Sequence, residues 1–187
     1  MPDKKQNLET PHVFLDTEMY RRISFNFKHG HWIEFEKRLS AKKLYLHTTD
    51  ISFAECLKKV AEESGTAIKE YTSTVRNFKK WYKKSIGEID KNFPEIDLEK
   101  YKKIAMDKFA QKLSSLTYKH HQASTFPAGP IFEKYFHNIA PFDTEKNKVE
   151  FPDAFMLYAL AVWCRETDLK IYILEHFPLI QVHSQPL

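Results

Sequence analysis

The stretch His12-Val13-Phe14-Leu15-Asp16 decides how this chain is read. A short apolar run that stops at an acid predicts a buried strand with a carboxylate at its carboxyl end. Working outward, Leu44-Tyr45-Leu46 predicts a second short strand and Lys170-Ile171-Tyr172-Ile173-Leu174 a third, with Ile180 to His183 as a final short one. Between the first two, Trp32, Phe35 and Leu39 recur at helical spacing. Thr48-Thr49-Asp50 then offers cap chemistry for a helix whose apolar stripe is Ile51, Ala54, Leu57 and Ala61, leaving Glu55 off that stripe.

From about Lys69 to Leu116 the pattern is almost wholly helical and breaks at Asn92-Phe93-Pro94, because proline cannot continue a helix. Asp97 can start the next helix, where Leu98, Tyr101, Ile104, Ala105, Phe109 and Leu113 recur at helical spacing. These segments predict a helical hairpin inserted at about residues 69–116. Gly129-Pro130 and Pro141 mark a loop-rich stretch to about Glu150. Pro152 suits the first turn of a helix over Asp153 to about Glu166, apolar on nearly every side and so expected to lie buried against a sheet. Strands alternating with helices predict an α/β fold with a parallel sheet. Residues 1–10 read as a loose tail, and 11–187 as one domain.

Composition bounds the rest. Hydrophobic residues make up 42% of the 187, with 15 Phe, 9 Tyr and 3 Trp, enough for a packed core. The formal charge of +4 is compatible with a phosphate-bearing partner without requiring one. Four glycines form no phosphate-cradling loop, which argues against a nucleoside triphosphate enzyme. Cys56 and Cys164 have no metal-ligand spacing and read as reduced thiols, Cys56 as a packing residue. The longest apolar stretch, Ala154 to Cys164, is too short to span a bilayer, so a cytoplasmic protein without membrane attachment is expected.

Three acids occupy suggestive places: Asp16 at a strand's carboxyl end, Glu55 early in the helix after the next strand, and Asp153 in the first turn of the late helix. In open α/β sheets ligands sit outside the carboxyl ends of strands, where all three could converge. Clustered carboxylates repel unless a cation lies between them, and oxygen-only ligands suit Mg²⁺ or Mn²⁺. Such a site can activate water against a phosphodiester. Each acid also has a plain structural reading, as a cap, a dipole partner or a solvent-facing residue.

The same residues resemble those of the PIN-domain family. His12 to Thr17 resembles its opening strand and Asp, and Thr49-Asp50-Ile51-Ser52-Phe53-Ala54-Glu55 its second motif. Pro141-Phe142 followed by Lys148 to Phe155 resembles the third motif of a large-insert bacterial PIN-like group. The resemblance implies a three-layer α/β/α sandwich around a parallel sheet. It also implies an endoribonuclease dependent on Mg²⁺ or Mn²⁺, with Asp16, Glu55 and Asp153 as catalytic, metal-binding acids. Glu150 would be a further ligand, Thr17 a contact to RNA, and a homodimer is a further expectation. One departure stands out: after the last predicted core strand such proteins usually carry Ser and further Asp residues, whereas this chain reads Glu175-His176-Phe177-Pro178. The alternative expectation is therefore a catalytically degenerate PIN-like module that binds RNA or a protein partner.

Two other patterns need weighing. Arg76, Lys79, Lys80, Lys83 and Lys84 interleave with Phe78, Trp81 and Tyr82. The cations read as a surface for RNA or as a solvated face, and the aromatics as stacking partners for exposed bases or, the favoured reading, as the core side of an amphipathic helix. His29-x-His31 and His120-His121 lack companions at zinc-site spacing and read as surface residues.

Overall fold

In the computed structural model, the apolar run at the start of the chain forms β1 (His12–Leu15), all four residues buried. Asp16 ends it and caps α1 (Thr17–Arg22). Next come α2 (Gly30–Ser40), β2 (Tyr45–Thr49) and α3 (Asp50–Ser85), followed by α4 (Leu98–Leu116) and β3 (Thr117–His121). A 3-10 turn at Ala123–Thr125 leads to α5 (Gly129–Phe136), α6 (Phe151–Thr167), β4 (Tyr172–Leu174) and β5 (Ile180–Gln181). The structure describes residues 9–87, 93–142, 151–174 and 180–181. Most of the expected tail, Asn92 of the helix break, Glu150 and Glu175 lie outside them.

The strands form one sheet in the order β3-β2-β1-β4-β5. β1 pairs in parallel with β2 and with β4, and β2 with β3, while β5 joins antiparallel to β4. This is the predicted α/β fold, a parallel sheet with helices and a helical insertion. α6 is buried through Ala154, Met156, Ala159, Leu160 and Trp163. Its Met156, Leu160 and Trp163 pack with Phe14, Ile171 and Ile173 of the sheet region, which is why its sequence is apolar all round.

The chain divides into two compact units, Met1–Cys56 with Ser114–Leu187, and Leu57–Leu113. The second is helical. Its buried apolar residues are Val60, Phe109 and Leu113, and Asp97 starts α4 as expected, its side chain accepting from the Lys100 amide at 3.0 Å.

Three elements differ from the sequence reading. α3 is one continuous helix of 36 residues, with no break near Lys69. β3 was not expected, because Tyr118, Lys119 and His120 are exposed on an edge strand and give no apolar signal. α5 replaces part of the loop-rich stretch, started by Pro130 in its first turn.

Candidate functional site

Local chemistry at two helix starts sets the geometry. At α3 the cap is Thr49: its Oγ1 accepts from the Ser52 amide at 2.9 Å, while Ser52 Oγ accepts from the Thr49 amide at 3.1 Å. This reciprocal pair fixes where the helix leaves β2. Asp50 beside it accepts from the Ala123 amide at 2.7 Å, and from the amide and hydroxyl of Ser124. Those donors hold its carboxyl below the usual range even though burial pushes the other way. Asp50 is thereby committed to tying the turn after β3 to the head of α3.

At α1, the Asp16 amide donates to the Leu174 carbonyl at 3.1 Å, aligning the carboxyl ends of β1 and β4. The Asp16 carboxylate accepts from the Glu18 amide at 3.2 Å. Thr17 Oγ1 donates to Glu55 Oε2 at 3.1 Å, and the Cys56 thiol donates to Thr17 Oγ1 at 3.9 Å. Glu55 is thus hydrogen-bonded to Thr17, the residue that follows Asp16 at the carboxyl end of β1. Cys56 is fully buried against Thr17, and burial, with the Asp16 and Glu55 charges adding, pushes its pKa up to about 12. It is a protonated packing residue, not a nucleophile. Burial also raises Tyr20 well above the usual phenol range, with Cys56 and Asp16 contributing.

Asp153 sits half-buried in the first turn of α6, as its sequence position predicted. Its neighbour Ala154 belongs to an apolar cluster with Ile131 and Phe142. Among the described residues, no group of three or more His, Cys, Asp or Glu side chains is arranged to hold a metal ion. The structure therefore ties Glu55 to Thr17, the neighbour of Asp16, and places Asp153 separately at the head of α6. Arg76, Lys79, Lys80, Lys83 and Lys84 are all exposed on α3, in the helical unit.

A second polar cluster went unread in the sequence. His12 Nδ1 lies 2.9 Å from His47 Nε2, and His47 Nδ1 lies 2.9 Å from His121 Nε2, so three buried imidazoles form a chain across β1, β2 and β3. The Trp163 ring of α6 packs against all three, with centroids 5.0, 4.4 and 6.0 Å away. Burial pushes His47 down to about 3 and His121 to about 4, the neighbouring imidazoles and Lys119 adding to the effect, and it lowers His12 as well. The available signal was positional: His12 and His47 each precede a strand-end acid by three or four residues. Because His47 spends a different ring nitrogen on each neighbour, one metal ion cannot take all three. His120, read as a surface residue, is exposed and meets Thr48 Oγ1 at 2.9 Å, whereas His121 is buried.

The fold is that of an α/β protein with a parallel sheet, carrying Asp16 where its first strand ends and Glu55 hydrogen-bonded to the residue beside it. The family model of the PIN domain matches residues 13–176, and the chain belongs to the PIN-domain family, whose members are generally nucleases. Neither the curated proteins nor the solved structures compared with the chain gave a match. Among the described residues, no helix is long and apolar enough to cross a membrane.

Proposed function

We propose that the protein is a metal-dependent endoribonuclease whose centre is built on Asp16 and Glu55. The observation that carries this reading is the hydrogen bond from Thr17 to Glu55, which ties Glu55 to the residue next to the strand-end acid within a PIN domain. The donor set fits a hard divalent cation: Mg²⁺ commonly uses one or two carboxylates and fills its remaining positions with water and phosphate oxygens. Asp16 and Glu55 would hold Mg²⁺ or Mn²⁺ directly, with Asp153 and Glu150 taking part through bound water. The ion when bound supplies an activated water and offsets charge on the scissile phosphate.

The protein's own part is positional. The hydroxyl of Thr17 fixes one Glu55 oxygen and leaves the other for a ligand, and the amide of Asp16 anchors that acid to β4. Burial of Cys56 keeps a neutral thiol beneath the acids, so no competing anion or nucleophile forms there. The departure after β4, where the chain reads Glu175-His176-Phe177-Pro178 in place of the family's Ser and Asp residues, supports a second reading, a degenerate module that binds RNA or a protein partner without cutting RNA.

Cleavage of a mixed RNA pool in Mn²⁺ or Mg²⁺ decides between them. Asp16→Asn keeps a side chain that caps α1 equally well yet halves the charge of the pair. The expected loss of cleavage is at least about a hundredfold, since even outer-shell changes at metal sites cost about 10–100-fold. EDTA should abolish cleavage. RNA bound but left intact by the wild type in either metal would sink the catalytic reading and leave the module.

A further inference from the structure

The sequence reading placed Phe78, Trp81 and Tyr82 in a core, and the structure places only Tyr82 partly there. Trp81 is 56% exposed and Phe78 39% exposed. From Tyr71 to Gly87 the chain carries five cations and no acid. None of the five forms an ion pair with a described residue. Arg76, Lys80 and Lys84 recur every four residues, about 6 Å of helix rise apart, and each step turns the row about 40° further round the helix. That drift brings the row toward Trp81, which has Lys80 before it and Lys84 one turn on.

We propose that this face of α3 is a binding site for a single-stranded polynucleotide, whose unpaired bases stack on Trp81 and the exposed edge of Phe78 while the Arg76-Lys80-Lys84 row follows its phosphates. The inference rests on the nuclease reading only for its choice of RNA as the natural ligand; the surface itself is argued from exposure and charge. Stacking on an aromatic ring needs a base free of its pair, and a groove of cations beside such rings suits single strands of any sequence. A lipid surface fits less well. Membrane-lying helices present a continuous free apolar face, whereas here Phe93 already packs on Phe78, centroids 5.7 Å apart, and Lys79 Nζ lies 5.6 Å over the Phe93 ring. The middle of the apolar arc is therefore covered, leaving Trp81 at the seam with the lysines.

The protein contains its own reporter. Of three tryptophans, Trp32 and Trp163 are each 4% exposed, so the solvent-exposed emission belongs to Trp81. Titrating the whole chain in EDTA with a short mixed-sequence RNA strand should quench that emission to saturation, with the same strand as DNA close behind and duplex RNA much weaker. Trp81→Ala should weaken binding, read by anisotropy of a labelled strand, by about tenfold or more, the scale of one stacked base. Trp81→Phe should restore most of it. Lys80→Gln with Lys84→Gln should flatten the salt dependence by about 0.7 per charge removed. Equal affinity of wild type and Trp81→Ala overturns the proposal, as does duplex RNA bound as tightly as the single strand, or anionic phosphatidylserine vesicles bound in preference to RNA. Because EDTA removes catalysis from the measurement, the two readings fail separately. A protein that binds strands through Trp81 and never cuts them refutes the nuclease alone, and a metal-dependent nuclease indifferent to Trp81 refutes this site alone.

Discussion

The sheet-bearing unit and the helical unit solve the same problem in opposite ways. Among the described residues, every buried polar side chain lies in the first: Thr10, His12, His47, Thr48, Thr49, Ser52 and His121. Each needs a partner at hydrogen-bond distance, because a buried polar group without one costs about 1–3 kcal/mol. The helical unit buries Val60, Phe109 and Leu113 and leaves Phe78, Trp81, Ile86, Tyr101 and Ile104 exposed. Its ion pairs Lys59–Glu62 and Lys102–Glu99 are local and surface-lying. One unit is specified by matched polar geometry across strands, the other by helix periodicity and a thin apolar seam. A directed chemical site belongs on the first kind of scaffold, and an adaptable electrostatic surface suits the second.

Acid should break the contrast most visibly. His47, His121 and His12 all have folded pKa values below the ordinary 6.5. The unfolded chain therefore binds more protons as pH falls below about 6.5, and the stability these residues contribute is complete above that pH and lost below it. Between pH 6.5 and 5 the loss is up to about 2 kcal/mol for each histidine that stays neutral when folded. Urea denaturation followed by hydrogen exchange should show protection of β1, β2 and β3 falling over this range, while amides of α3 beyond Leu57 hold theirs until lower pH. Flat stability from pH 7 to 5 would mean the imidazole chain does not stay neutral, and protection falling equally in both units would mean that they unfold as one.

A smaller change sharpens the comparison within the first unit. Thr17→Val keeps the shape and removes the hydroxyl that donates to Glu55 and accepts from Cys56. Stability should fall by about 1 kcal/mol, the net worth of one hydrogen bond. Mn²⁺ affinity, read by calorimetry, should fall by about tenfold, because a ligand loses its orienting partner. Lost stability with unchanged metal affinity would make Thr17 a packing residue only.

Legibility of the sequence followed the same divide. β1, β2, β4 and α6 were readable because buried parallel strands and a buried helix are continuous apolar runs, and Asp16 was readable because it ends one of them. Glu55 was singled out by its place after a strand and by the resemblance of its segment to the family's second motif. Its hydrogen bond to Thr17 was not, since residues 17 and 55 become neighbours only through sheet register. β3 stayed hidden because an exposed edge strand has no apolar alternation, and with it went the histidine chain, whose third member β3 supplies. In the helical unit the periodicity revealed α4 and its Asp97 cap. It misplaced Trp81, because helical spacing shows which residues share a face and not whether anything covers that face.

The smallest expected effect tests how tight the helical seam is. Gly65 is buried in the middle of α3, where glycine costs about 0.5–1 kcal/mol relative to alanine in backbone entropy. A Cβ there would lie 2.9 Å from Lys102 Cε of α4, too close unless something moves. What must move is the end of a flexible lysine, and the ion pair it would loosen, Lys102 Nζ to Glu99 Oε1 at 2.9 Å, involves a largely exposed glutamate. Such a pair is worth about 0–1 kcal/mol. Gly65→Ala should therefore be neutral to stabilising by at most about 0.5 kcal/mol in thermal or urea denaturation. Destabilisation by about 1 kcal/mol or more would mean that Lys102 is held in place and that the two helices meet as closely at Gly65 as any pair in the sheet-bearing unit, which would erase the distinction between a matched scaffold and a loose one.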